Sequence, residues 1–181
     1  MSSTENLDRP VIVTGSSSGI GRAVCSRLTR AGTPVISVDQ NDAPEDVDVA
    51  EHFCCDLSDP AAVAKLIQDL DNQFDPANFS SLVNVAGVPG TRPASTVLEV
   101  NLLAVRSLSR ALAVRFSGGA SIVNIGSISG NAWQQRLDVH RSLLELDDEQ
   151  IRNWWRDRGR SVGVDPYTFS KEAVIVWSML H

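Results

Sequence analysis

The stretch Thr14-Gly15-Ser16-Ser17-Ser18-Gly19-Ile20-Gly21 follows the apolar run Val11-Ile12-Val13 and leads directly into the helical pattern Arg22 to Ala31. Strand, glycine-rich turn and helix start come in one uninterrupted order. Glycines at such positions let the backbone turn tightly, approach a ligand closely and pack the helix against the strand, while amides at the helix start attract an anion. The spacing G-x-x-x-G-x-G has the strand-turn-helix context of a phosphate cradle; the plainer alternative is a loop that merely starts a helix.

Asp39 stands eighteen residues beyond Gly21, at the end of the β-rich run Thr33 to Val38. An acidic side chain there accepts hydrogen bonds from ribose hydroxyls and repels the additional phosphate of NADP. The segment Gly15 to Gly21 contains no arginine or lysine, and Gln40 follows Asp39, so the expected cofactor is NAD (NADH), with NADP disfavoured. The alternative role for Asp39 is that of a turn residue.

Downstream, strand and helix patterns alternate. Asn41 to Ala50 is expected as a solvated loop, and Glu51 to Cys55 as a third strand ending at Asp56-Leu57. A helix opens at Ser58 or Asp59 with Pro60 and carries Val63, Leu66, Ile67 and Leu70 at helical spacing. Asp56 either touches the adenine end of a nucleotide or caps this turn. Ser81 to Val85 is a fourth strand running into Ala86-Gly87, whose small residues let a nucleotide lie close to backbone. Asn84 either belongs to that site or bonds its own backbone at the strand end. Thr96 to Phe116 is predicted as one long apolar helix containing Asn101, and Ala120 to Ile125 as a fifth strand before Gly126-Ser127. The expected fold is α/β, a doubly wound, mostly parallel sheet whose ligands sit beyond the carboxyl ends of the strands.

Composition narrows the partners. The 181 residues fit one domain, and a net charge of −6 provides no basic footprint for nucleic acid or an anionic membrane surface. Without a secretory-type apolar segment or a run long enough to span a bilayer, the expected location is the cytoplasm. Cys25, Cys54 and Cys55 suggest buried small hydrophobes rather than disulfides. His52, His140 and His181 join no cysteine or carboxylate at ligand spacing, so no metal site is expected.

Tyr167 and Lys171 stand four residues apart, on one face if the segment is helical, as Pro166 and the apolar run Ala173 to Trp177 suggest. A lysine ammonium one turn from a phenol stabilises the phenolate and fits the tyrosine for acid and base work. The blander alternative is an exposed aromatic-lysine pair.

Taken together, Thr14-Gly15-x-x-x-Gly19-x-Gly21, Asn84-Val85-Ala86-Gly87, Asn101, Ser127 and Tyr167-x-x-x-Lys171 resemble the short-chain dehydrogenase/reductase family, in its order and over essentially the whole chain. The resemblance implies a Rossmann-like domain that exchanges a hydride between NAD and a small apolar alcohol or ketone. Tyr167 would be the acid or base, Ser127 would bond the substrate oxygen, Lys171 would tune Tyr167, and Asn101 would hold a water in the proton relay. It also implies a cofactor site of Gly15, Ser17, Ser18, Gly19, Ile20, Gly21, Asp39, Asp56, Leu57, Asn84, Ala86, Gly87, Tyr167 and Lys171. A homo-oligomer is implied for the full-length protein.

Three departures from the family pattern stand out. Val85 replaces the second asparagine of the Asn-Asn-Ala-Gly motif. Ser127 and Tyr167 are forty positions apart, and the added segment, about residues 133–165, is expected to form one or two amphipathic helices. An extension here is similar to the bacterial 3α-hydroxysteroid dehydrogenase/carbonyl reductase subgroup and to coniferyl-alcohol dehydrogenases. Its Trp154 and Trp155 either stack on a flat apolar substrate or anchor the insertion, which would also alter subunit pairing through the tyrosine helix. Finally, His181 falls fourteen residues after Tyr167, so the family's later strands are expected to be missing. The tyrosine helix would then expose an apolar face and the fifth strand a bare edge, and the chain would be either an enzyme fragment or a non-catalytic nucleotide-binding remnant.

Overall fold

The computed structural model describes residues 9–75, 78–116 and 118–181. Five short strands, β1 (Val11–Thr14), β2 (Val35–Asp39), β3 (Glu51–Cys54), β4 (Ser81–Asn84) and β5 (Ser121–Asn124), form one parallel sheet in the order β3-β2-β1-β4-β5. This is the expected α/β, Rossmann-like, doubly wound arrangement, with the strand order reversing direction between β1 and β4. The register sets Thr14 beside Val38 on one side and Asn84 on the other. β1 and β2 are buried along their whole length, which is why both are apolar runs rather than alternating patterns. Among the described residues β5 pairs within the sheet with β4 alone, and Val123 is 45% exposed.

Helix α1 (Gly19–Arg30) follows β1, and α2 (Pro60–Gln73) follows β3. Asp59 caps α2 by accepting from the Ala61 amide at 2.8 Å, and Pro60 stands in the first turn, where a missing N–H costs nothing. The long helix expected at Thr96–Phe116 instead begins at Ala94. It consists of α3 (Ala94–Leu98), a π turn (Glu99–Leu103) and α4 (Ala104–Ala113). The insertion folds as α5 (Leu137–Leu144) and α6 (Asp148–Arg158), and α7 (Pro166–Leu180) carries the tyrosine and lysine.

The chain divides into two compact units. One is the chain through Ala86 together with Ser107–Ile125; the other joins Gly87–Arg106 to Gly126–His181. The first has a core of Val11, Val13, Cys25, Val35 and Val47. Val47 thus turns inward from a loop expected to be fully solvated. Cys54 is a second correction: it is exposed, with its thiol directed at the Gln40 carbonyl, while Cys25 and Cys55 are buried and their thiols pushed up to about 11 by desolvation. The second unit packs Leu102, Leu103, Leu143, Ile151, Phe169 and Trp177 together. Helix α7 therefore does not expose its apolar face; α3, the π turn and α5 cover it, leaving Met179 and Leu180 in solvent. Among the described residues no helix is long and apolar enough to cross a membrane.

Candidate active site

In the first unit, Thr14 at the end of β1 accepts hydrogen bonds on Oγ1 from the amides of Val85 (3.1 Å) and Ala86 (3.2 Å). That bond pair pulls the backbone after β4 against the turn after β1. Gly15 sits at the contact with φ +68°, and a Cβ on it would lie 2.7 Å from the Ala86 backbone. A Cβ on Gly21 would lie 2.0 Å from the Gly15 carbonyl oxygen. Both positions exclude any side chain, which explains the glycine spacing physically. The N-cap residue of α1, Ser18, makes no side-chain capping bond, the first turn holds no acidic residue, and the space around Gly19 is open. Ser17 is half-buried, and Ser18 and Ile20 are exposed. These features fit the pyrophosphate of a dinucleotide, which a helix start attracts through its unmatched amides.

The Asp39 carboxylate closes the cradle. Its Oδ2 accepts from the Ser17 amide at 3.0 Å, and its Oδ1 accepts from the amide and side chain of Asn41, both at 3.0 Å. Asp39 is thus both a turn residue and a brace of the glycine loop. Burial works to raise its pKa, but the hydrogen bonds from Asn41 and Ser17 outweigh it and hold the carboxyl below its ordinary value. A partly buried chain missed by sequence reasoning runs from Ser16 Oγ to Ser37 Oγ (2.6 Å) and on to His52 Nδ1 (2.9 Å).

Asp56 is exposed, and its Oδ1 accepts from the Ser58 amide, forming the turn ahead of α2. The neighbouring Leu57 side chain is buried. Asn84 does not bond its own backbone: its Nδ2 donates to Asn124 Oδ1 (2.8 Å) and Ser109 Oγ (3.3 Å), joining β4 to β5.

The second unit contains exposed Gly87 and brings Asn101, Ser127, Tyr167 and Lys171 into one compact body. Asn101 lies on the π turn, an insertion that re-aims a helical side chain and is frequent at functional sites. Its Oδ1 accepts from the Val88 amide (2.8 Å), and its Nδ2 donates to the Val88 carbonyl (3.0 Å) and to Ser170 Oγ (3.3 Å). Ser170 in turn donates to the Tyr167 carbonyl at 2.8 Å. Asn101 therefore fastens the segment after β4 to the first turn of α7.

Asp165 caps α7 by accepting from the amides of Tyr167 (3.0 Å) and Thr168 (3.1 Å), which sets the entry angle of the tyrosine. One turn on, Lys171 is 5% exposed and its Nζ lies 5.9 Å from the centroid of the Tyr167 ring. Burial lowers the pKa of Lys171. Ser127 accepts from the Ser129 amide at 3.2 Å and caps the short turn Ile128–Gly130. A Cβ on Gly130 would lie 2.9 Å from the Lys171 backbone, so this turn packs directly on the lysine's turn of α7. The tyrosine and lysine are not the exposed surface pair of the blander alternative.

The insertion grips the same helix. Trp154 stacks on Phe169 and Trp155 packs against it at a tilt, with ring centroids 5.8 and 4.9 Å away, so they anchor the insertion onto α7. Glu172, directly after Lys171 and wholly buried, accepts from Arg136 Nε (2.7 Å) and bonds His140 Nε2 (3.0 Å). His140 thus does join a carboxylate, one thirty-two positions away. Among the described residues no cluster of three or more His, Cys, Asp or Glu is arranged to hold a metal ion.

The family model described as short chain dehydrogenase matches residues 9–139. Coniferyl-alcohol dehydrogenase of Pseudomonas sp. (strain HR199 / DSM 7063) is 35% identical over 173 residues, covering 96% of this chain and 65% of that protein. The chain therefore spans about two thirds of that relative's length. Among solved structures, the 3-alpha-hydroxysteroid dehydrogenase from Pseudomonas sp. B-0831 complexed with NADH superposes with a TM-score of 0.69 at 28% identity, covering 91% of this chain and 62% of that one. The bulky-bulky ketone specific alcohol dehydrogenase from Comamonas testosteroni shares the fold, with a TM-score of 0.68 at 23% identity, over 96% of this chain and 65% of that one.

Proposed function

Because the chain belongs to the short-chain dehydrogenase family, we propose that it interconverts an alcohol and its carbonyl with NAD, Tyr167 acting as the acid or base. The observation that carries this reading is the second unit's arrangement: Tyr167 beside a buried Lys171, with the Ser127 turn packed on the same stretch of helix. Bound nicotinamide dinucleotide supplies or accepts the hydride. In reduction Tyr167 gives its hydroxyl proton to the substrate oxygen, and in oxidation it takes that proton back. Ser127 donates a hydrogen bond to the same oxygen, where charge develops. The Lys171 ammonium stabilises the phenolate, and its burial strengthens that interaction by excluding water. Asn101 keeps the backbone around Val88 in place and supports a water in the proton relay.

For the cofactor we assign Gly15, Ser17, Ser18, Gly19, Ile20 and Gly21 to the pyrophosphate, and Asp39, Asp56, Leu57, Asn84, Ala86 and Gly87 to the adenosine and its approach, with Tyr167 and Lys171 at the ribose of the nicotinamide. The preference for NAD over NADP rests on Asp39, an anion at neutral pH that repels a second phosphate. The substrate class, a hydroxysteroid or an aromatic alcohol, is supported by the names of the Pseudomonas relatives. Three thiols without a disulfide among the described residues agree with work in the reducing cytoplasm.

The test is to measure NADH binding by calorimetry and carbonyl reduction by NADH consumption, side by side, for the chain and for Tyr167→Phe. The reading predicts that the variant largely retains NADH binding and loses turnover by at least about a hundredfold. Parental turnover in Tyr167→Phe would refute the assignment, and NADH binding without turnover in the parent would favour nucleotide binding alone.

A further inference from the structure

The insertion builds a cavity of about 620 Å³ inside the second unit, between α6 and the start of α3. None of the four residues assigned to the hydride chemistry lines it. Its apolar wall is made by Leu98, Val164, Pro166 and the ring of Trp155. That ring is held in place: Phe169 packs on it at a tilt of 43° with centroids 4.9 Å apart, and Gly159 lies so close that a Cβ on it would fall 2.7 Å from the indole. Glycine at this position leaves the room that the indole occupies.

The charged residues lining the cavity are three arginines and a single carboxylate, Glu99. Arg152, Arg156 and Arg160 recur every four residues along one face of α6 and the turn after it, and all three line the cavity. Arg152 is already neutralised, since its Nε and Nη2 donate to the two carboxylate oxygens of Glu99 at 2.6 and 3.0 Å. Arg156 is engaged differently: it donates to the neutral Asn153 Oδ1 at 2.8 Å, and its ion pair with Asp157 is long (3.6 Å) and solvent-exposed, the kind that contributes little. Arg156 and Arg160 therefore leave a positive rim beside an apolar wall, in a chain whose net charge is −6.

We propose that this cavity is a binding site for an amphipathic anion, a flat apolar body carrying one carboxylate, with the body against Trp155 and the carboxylate on Arg156 and Arg160. The volume lies in the range of small-molecule sites, which are mostly apolar with a few placed polar groups. A guanidinium fork matches a carboxylate in plane and charge. The proposal is independent of the hydride reading, because it concerns binding alone and can be tested in a chain that turns nothing over.

The probe is naphthoate, with naphthylmethanol as its uncharged counterpart, titrated into the 181-residue chain while amide and indole NMR signals are followed. The expected result is a shift of the Trp155 indole signal and at least about tenfold tighter binding of naphthoate, a preference that added salt erodes. The double variant Arg156→Gln with Arg160→Gln should lose that preference and bind both probes alike; both side chains are exposed, so circular dichroism should show an unchanged fold. Equal affinity for the two probes in the parent, a preference unaffected by salt, or an unmoved Trp155 signal would each overturn the proposal. The parental comparison and its salt dependence decide the matter even if the double variant misfolds.

Discussion

Replacing Glu172 by Gln removes a buried anion that ties the insertion to the helix carrying Tyr167 and Lys171, while keeping the side chain's shape. Glu172 is wholly buried and accepts a two-pronged bond from Arg136 (2.7 and 2.5 Å) and a third contact from His140 at 3.0 Å. Taking one partner from a buried ionic network costs about 3–5 kcal/mol. The Arg136 side chain is 18% exposed and regains some hydration, and glutamine retains one acceptor, so the lower end, about 3 kcal/mol, is expected. With a urea dependence of about 2–3 kcal/mol per molar for a chain of this size, the unfolding midpoint should fall by about 1–1.5 M. Burial works to raise the Glu172 pKa, but the bonds from Arg136 and His140 prevail and hold it low. A folded-state value below the unfolded one means that the stabilisation is complete at neutral pH and fades as pH drops below about 4.5. Urea unfolding followed by circular dichroism, at neutral pH and again near pH 4, checks both parts. A midpoint unchanged from the parent at neutral pH would refute the reasoning.

Gly15→Ala forces a side chain into a left-handed backbone and against Ala86, so it should destabilise the chain by about 2–4 kcal/mol in thermal unfolding and weaken NADH binding. Asp39→Asn removes the charge on which the proposed NAD preference rests, and the ratio of NADH to NADPH affinity, measured by calorimetry, should fall at least about tenfold. His140 is held below its ordinary pKa, chiefly by burial and partly by Arg136, against the pull of Glu172. Its unfolded form therefore binds the proton first as pH falls through about 6.5, and stability declines from there downward; in His140→Asn the decline in urea midpoint between about pH 7 and pH 5.5 should shrink.

What sequence reasoning reached in advance was local. The glycine spacing, Asp39 and the four-residue step from Tyr167 to Lys171 are each set by neighbours in the chain, and the alternation of apolar strands with helical patterns sufficed for the parallel sheet. What it missed depends on residues far apart. The bond of Thr14 to Val85 and Ala86, and that of Asn101 to Val88 and Ser170, exist only once the strands and helices are assembled. The π turn at Glu99–Leu103 is hidden because Val100, Leu102 and Leu103 continue the apolar pattern of the helices on either side, so one extra residue in the turn leaves that pattern unbroken. Trp154 and Trp155 leave two roles open in the sequence, which the packing of Phe169 against both narrows to anchoring, and His140 reads as isolated because its carboxylate is thirty-two positions away. The Cys54 exposure follows from its place on β3, at the sheet's edge, which a pattern of short strands does not reveal.

The most direct test of hydride transfer is to follow the hydrogen itself. Incubating the chain with an aromatic ketone and NADH deuterated at the donating nicotinamide carbon should yield an alcohol with one deuterium on its carbinol carbon by mass spectrometry, and none when Tyr167→Phe replaces the parent. An alcohol product free of deuterium, or equal labelling by the variant, would contradict the account.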